Sequence, residues 1–190
     1  MKHGRGFTLI EILVVIAIIG ILSSIVFASV EEARERAKIA HAIASVRQVE
    51  EAVRFYFIHT QTLPPPCRIH YCTASSDPLL NNVDNLPGWN GPYHSGVYNL
   101  AHGWGGQIGI HKATCSNPGS EKIYIILDDD APGMGSSDET GHIPTNSLQA
   151  IDKALDDGDL STGRVTGDGQ SIPRGCPTGS EGEIGIRIDL

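Results

Sequence analysis

Basic charge is scarce in this 190-residue chain: 14 Lys and Arg stand against 22 Asp and Glu, a formal net charge of −8. Nucleic acid is bound by clustered Lys and Arg that neutralise phosphates, so no nucleic-acid partner is expected. Catalytic signatures are missing as well. There is no Gly-x-Ser-x-Gly elbow, no glycine-rich phosphate loop ending in Lys-Ser/Thr, and no His-Glu-x-x-His; the expectation is that the chain is not an enzyme. The eight histidines are scattered, and only His70, between Cys67 and Cys72, has neighbours of the metal-ligand type. No proline precedes Pro64, so nothing interrupts a helix over the first third of the chain.

What is present in strength is an apolar run at the N-terminus. From Phe7 to Val30 the only polar residues are Thr8, Glu11, Ser23, Ser24 and Ser29. At about 1.5 Å per residue a helix over this run reaches roughly 36 Å, enough to cross a hydrocarbon core of about 30 Å. The run exceeds the ~7–15 apolar residues of a cleaved signal peptide. Lys2 and Arg5 precede it, which keeps the short N-terminus cytoplasmic and sends the rest outward.

Glu11 is the anomaly in this segment. A carboxylate there costs on the order of 2.5–3.5 kcal/mol on insertion scales and calls for a partner, yet no basic residue follows it within a helical turn. Cleavage between Gly6 and Phe7 would create one: the new α-amino group, on the same chain or on a neighbouring copy in a helical assembly.

The run Gly6-Phe7-Thr8-Leu9-Ile10-Glu11, continuing through Gly20, resembles the processing signature of type IV pilins and of the pseudopilins of type II secretion. The resemblance covers about the first 60 residues. It implies that a prepilin peptidase cuts after Gly6 and methylates Phe7, and that Glu11 pairs with the N-terminus of an adjacent subunit in a filament. Many family members have a proline where this chain has Ala28, so the kink they carry is not expected here. The stretches "WNGPY" and "HGWGG" also resemble aromatic-glycine segments of major pseudopilins.

Loss of the first six residues removes Lys2 and Arg5 and leaves 12 Lys and Arg against 22 Asp and Glu, a side-chain net of −10. The expected organisation is a leader at 1–6, a transmembrane and assembly half-helix at 7–30, and an exported head at 31–190. That head includes the second half of the helix (31–60) and C-terminal strands. Apolar residues at Ile39, Ile43, Val46, Val49, Val53 and Phe57 form one stripe of 3.6-residue period, so the helix is expected over 7–59, with Pro64 to Pro66 as its stop. Residues 61–107 read as irregular chain pinned by Trp89, Tyr93, Tyr98 and Trp104. Strands are expected at 108–113, 122–128 and 183–190. A short helix capped by Asn146, with Gln149 three residues on, is expected to end at Gly158. Together these give an α+β class: a long helix packed on a small antiparallel sheet.

Four cysteines in an exported chain are read as disulfides. Three pairings are possible; Cys67 with Cys72 and Cys115 with Cys176 is the favoured one, and a zinc site using His70 is the alternative. Calcium is the other cofactor considered. Asp128 to Asp130 and Asp156-Asp157-Gly158-Asp159 are oxygen-rich, the second with a glycine for the turn, as calcium loops are, and the resemblance implies a calcium ion in a C-terminal loop. Asp156, Asp157 and Asp159 are its first candidates, although no EF-hand pattern is present.

The function expected is a structural subunit of a type IV pilus or type II secretion pseudopilus, polymerised through its N-terminal helix after leader cleavage. Expected partners are further copies in a helical filament, the prepilin peptidase, an inner-membrane assembly platform with minor pilins, and membrane lipid before assembly. Location would change from the cytoplasmic membrane to an extracellular or periplasm-spanning filament. The alternative is a membrane-anchored extracytoplasmic binding domain that does not polymerise.

Overall fold

A computed structural model describes residues 8–67, 72–114, 121–130, 141–167 and 182–190. The element order is α1 (Leu9–Thr60), β1 (Ile108–Thr114), β2 (Glu121–Leu127), α2 (Thr145–Leu155), β3 (Val165–Gly167) and β4 (Ile184–Ile188). The chain divides into two compact units, Met1–Ala37 and Lys38–Leu190.

The first unit contributes helix alone. Its apolar side chains lie open, with Leu9 at 82%, Ile16 at 61% and Phe27 at 75% exposure. Two of its serines turn inward on the backbone: the Ser24 hydroxyl donates to the Ile21 carbonyl at 2.7 Å and Ser29 to Ile25 at 3.0 Å. Those bonds satisfy the hydroxyls within the helix, as an apolar solvent requires. Past Val30 charge appears, and Arg34 pairs with Glu31 while Arg36 pairs with Glu32.

The second unit is an α+β head. On α1 the buried apolar positions are Ala42, Val46, Val49, Ala52, Val53 and Tyr56, one face at helical spacing. Of the expected stripe, Ile39, Ile43 and Phe57 flank this face half-buried. The sheet runs β1-β2-β4-β3, antiparallel throughout. Its register lines Ile110, Ile125, Ile186 and Val165 across all four strands, and each is wholly buried. One hydrophobic cluster contains this row and the buried face of α1, so the sheet and the upper helix share a core.

The long stretch before β1 contains no helix or strand among the described residues beyond isolated bridges at Cys67, Ala101 and Gln107. It is held by side chains. Tyr93 meets Tyr56 edge-on at 5.8 Å and Trp89 at 5.5 Å, its hydroxyl accepts from the Asn90 N–H at 2.7 Å, and Lys38 lies over the Trp104 ring. Asp77, fully buried, accepts from the N–H groups of Leu79 (2.9 Å), Val97 (2.5 Å) and Tyr98 (3.1 Å). That one carboxylate satisfies three loop donors that no strand partner serves.

Two expectations are corrected here. Helix α2 is capped by Pro144, without a side-chain hydrogen bond, and not by Asn146. The Pro144 carbonyl already accepts from Ser147 and Leu148, so the helix starts before Asn146 can close a capping box. The third strand, Val165–Gly167, was not anticipated, and it pairs with β4 at the sheet edge.

Cys67 and Cys72 form a disulfide with Cα atoms 4.9 Å apart, which removes both thiolates from the zinc alternative. Cys67 also exchanges two 2.9 Å backbone hydrogen bonds with Ile110, so Cys67 itself satisfies part of the free edge of β1. His70, Cys115 and Cys176 lie outside the described residues.

Candidate functional site

The N-terminal motif is built around the first turn of α1. Thr8 immediately precedes the helix, and Glu11 is its third residue. The Thr8 N–H and the Thr8 hydroxyl both donate to Glu11 Oε2 at 2.8 Å, while the Glu11 N–H donates back to Thr8 Oγ1 at 3.3 Å. This reciprocal pattern is a capping box: two donors that the first turn leaves orphaned are satisfied by the two side chains. A carboxylate at a helix N-terminus also meets the positive end of the helix dipole. Glu11 is therefore fixed in its own chain, and both recorded bonds use the same oxygen. Gly6 and Phe7, the expected cleavage and methylation residues, lie outside the described residues.

The acidic residues near the C-terminal end of α2 fall into two sets. Oxygens of Asp152, Asp156 and Asp157 lie within 4.8 Å of one another. Asp159 stands apart from that group, with Oδ1 accepting from the Ser161 hydroxyl at 2.6 Å and its N–H at 3.0 Å, bonds that hold its carboxyl below the ordinary carboxylate range. A second group, Asp128, Asp129 and Glu183, gathers at the ends of β2 and β4. Beside it, buried His102 presents Nε2 to the Asp128 carbonyl at 2.9 Å. Burial pushes its pKa down, so the imidazole is neutral and carries its proton on Nε2.

One ion-pair cluster ties α1, α2 and β3 together. Arg164, just ahead of β3, places Nη1 3.0 Å from Glu50 on α1 and donates from Nε to the Leu155 carbonyl at 3.2 Å. Arg54 reaches the same Glu50 oxygen at 2.9 Å. Desolvation raises the Glu50 pKa, but the hydrogen bonds and charges of Arg164 and Arg54 outweigh it, leaving the carboxyl below its ordinary value.

Residues 1–27 match the family model described as the prokaryotic N-terminal methylation motif. Beyond the motif, the chain is 30% identical over 140 residues to the type II secretion system core protein G of Escherichia coli (strain K12), covering 71% of this chain and 88% of that protein. The chain belongs to the type IV pilin and pseudopilin family. A fimbrial protein of Neisseria meningitidis serogroup B is 28% identical over 163 residues, 78% of this chain and 96% of the relative. A type IV major pilin protein of Neisseria gonorrhoeae is 36% identical over 87 residues, 46% and 41% respectively. No solved structure matches the chain.

In this pilin-family chain two functional features escaped the reading from sequence. Thr8 was passed over, although Thr-x-x-Glu ahead of an apolar run is the written form of a capping box. Asp152 is not among the residues that the sequence singles out, yet it is fully buried. The sign of that was its place beside Ile151 on an amphipathic helix, where a charged residue next to the apolar face needs a reason.

Proposed function

We propose that the chain is a structural filament subunit, of a type IV pilus or a type II secretion pseudopilus, with no catalytic role. It is made as a membrane precursor with a cytoplasmic leader, cut after Gly6 by a prepilin peptidase and methylated on Phe7. An inner-membrane platform, with minor pilins, then moves it from lipid into a helical filament of its own copies that leaves the membrane. The observation that carries this reading is a helix with exposed apolar side chains and a single carboxylate held in its first turn. Such a surface needs lipid or other helices as its solvent. The capping box orients Glu11 and uses Oε2, leaving Oε1 to accept from the α-amino group at Phe7 of an adjacent subunit.

Intact-mass and N-terminal peptide mass spectrometry on protein from native membranes tests the processing step. A chain beginning at N-methylated Phe7 is expected; one beginning at Met1 would return the protein to the anchored-domain alternative. Glu11→Gln keeps the cap's size but loses the charge, and filament yield should fall while the head still folds.

A further inference from the structure

We infer that a groove between α1 and the irregular chain before β1 binds a guanidinium, the arginine side chain of a basic polypeptide. Gln48, Glu51 and Phe55 line it from one side of α1, at steps of three and four along the helix, and Tyr93, His94 and Ser95 line it from the loop. Its volume is about 330 Å³, at the lower end of the range for ligand pockets.

Glu51 decides the occupant. Among the described residues it has no hydrogen-bond or ion-pair partner, although Arg47 and Arg54 both lie within a helical turn of it. Arg54 is bonded to Glu50 at 2.9 Å, and Arg47 donates to the Ala154 carbonyl on α2 at 3.5 Å. The chain's own cations are thus engaged elsewhere, and the groove keeps an unpaired negative charge.

That charge stands beside two aromatic rings. Phe55 is 46% exposed. Tyr93 is clamped by the rings of Tyr56 at 5.8 Å, Trp89 at 5.5 Å and His59 at 5.5 Å, and its hydroxyl lies 3.0 Å from His59 Nδ1. A ring held in this way loses little further freedom when a ligand packs on it.

Aromatic rings attract cations, and a carboxylate takes a guanidinium through two parallel hydrogen bonds. A planar, weakly hydrated guanidinium can do both at once, whereas an ammonium is a strongly hydrated point charge. Arginine has five N–H donors and no acceptor. The groove answers with acceptors: besides Glu51, the Gln48 amide oxygen and the Ser95 hydroxyl have no partner among the described residues. His94 adds no opposing charge, since its Nδ1 accepts the Gly96 N–H at 3.1 Å, a bond that only the neutral ring can accept. The net charge of −8 draws a basic partner toward the chain and disfavours a second acidic copy. The site does not depend on the filament reading.

The test uses the full-length chain in dodecylmaltoside micelles, with para-fluorophenylalanine at its four phenylalanine positions and fluorine NMR as the readout. Phe55→Leu assigns the Phe55 signal. The probe is acetyl-Gly-Arg-Gly amide, and the comparator replaces arginine by citrulline, which has nearly the same shape and no charge. The Phe55 signal is expected to move saturably with the arginine peptide, with half-saturation on the order of millimolar, and less so at high salt. The citrulline peptide should bind about threefold or more weakly, and Glu51→Gln should weaken the arginine peptide by a similar factor. Glu31→Gln removes the same charge elsewhere on α1 and should bind as the wild type does. A Phe55 signal unmoved by the arginine peptide up to tens of millimolar would overturn the site, as would equal binding of the two peptides or undiminished binding by Glu51→Gln. A Phe55 shift that follows protein concentration without peptide would assign the groove to a second copy and would also overturn it.

Discussion

Isoleucine fills two opposite roles in this chain. In the head, Ile108, Ile110, Ile123, Ile125 and Ile186 are all completely buried, whereas Ile10, Ile16 and Ile21 of the N-terminal half-helix are 61–68% exposed. The residue type is the same and the difference lies in what covers it. The head supplies its own apolar surroundings from the sheet and the α1 face, so its burial stabilises folding. The N-terminal half carries an equally apolar surface that its own chain leaves open, and that surface stabilises insertion or assembly instead.

The sharpest way to break this contrast is to shorten one isoleucine in each region. Ile125→Ala, in the middle strand and paired with both Ile110 and Ile186, should lower head stability by about 2–5 kcal/mol in a denaturant melt, through lost transfer energy and the cavity left behind. Ile16→Ala should leave that midpoint within about 0.5 kcal/mol. A comparable loss from Ile16→Ala would mean that the two regions fold as one.

The head also depends on polar groups that the N-terminal half has no use for. Asp77→Ala removes the acceptor of three N–H groups, and stranding buried donors costs about 1–3 kcal/mol apiece where water cannot reach them. A loss of roughly 3 kcal/mol is expected, since solvent recovers part of the deficit. Asp77→Asn, which retains one carbonyl acceptor, should fall between; equal losses from the two would show that the side-chain volume, not the acceptor, matters.

The Glu50–Arg164 pair gives the head a pH dependence with a definite sign. Glu50 holds its proton less tightly folded than unfolded. Its contribution is therefore fully present above the ordinary carboxylate pKa and is lost as pH falls through the lowered folded value. Arg164→Ala should cost about 1–3 kcal/mol at neutral pH and flatten the acid limb of the stability curve. Asp189, lowered by its bond from Arg187, adds a slope of the same sign that the substitution leaves in place. An unchanged acid limb in Arg164→Ala would assign the slope to Asp189 and other carboxylates.

The legibility of these features in sequence follows their range. Helix α1 was readable because polarity and period both change along it, β1 and β4 because alternation is a local signal, and β2 because a short, nearly continuous apolar run is one too; their observed ends differ from the expected ones by two residues at most. Strand β3 is three residues ending in a glycine, too short to show a period. Glu50 and Arg164 are 114 residues apart, and nothing local marks such a pair. Asp152 failed for a different reason: on an isolated helix it is one more acid in an acidic run, and only the packed head turns it inward. The Cys67–Cys72 bridge was readable from spacing and compartment, but its pairing with Ile110 was not.

The smallest effect concerns Thr8, and it tests whether the capping box belongs to the half-helix alone. Thr8→Ala removes the hydroxyl that accepts from the Glu11 N–H and one of the two donors to Glu11 Oε2, a loss of about 1 kcal/mol for an N-cap. In micelles the first-turn amides should exchange several-fold faster, while head amides and the denaturant midpoint stay unmoved. Thr8→Ser keeps the hydroxyl and should restore slow exchange. If Thr8→Ala lowered filament yield as well, with processing at Phe7 intact, the cap would be orienting Glu11 for its neighbour. A wild-type yield would mean that the adjacent subunit's α-amino group aligns the carboxylate without help from Thr8.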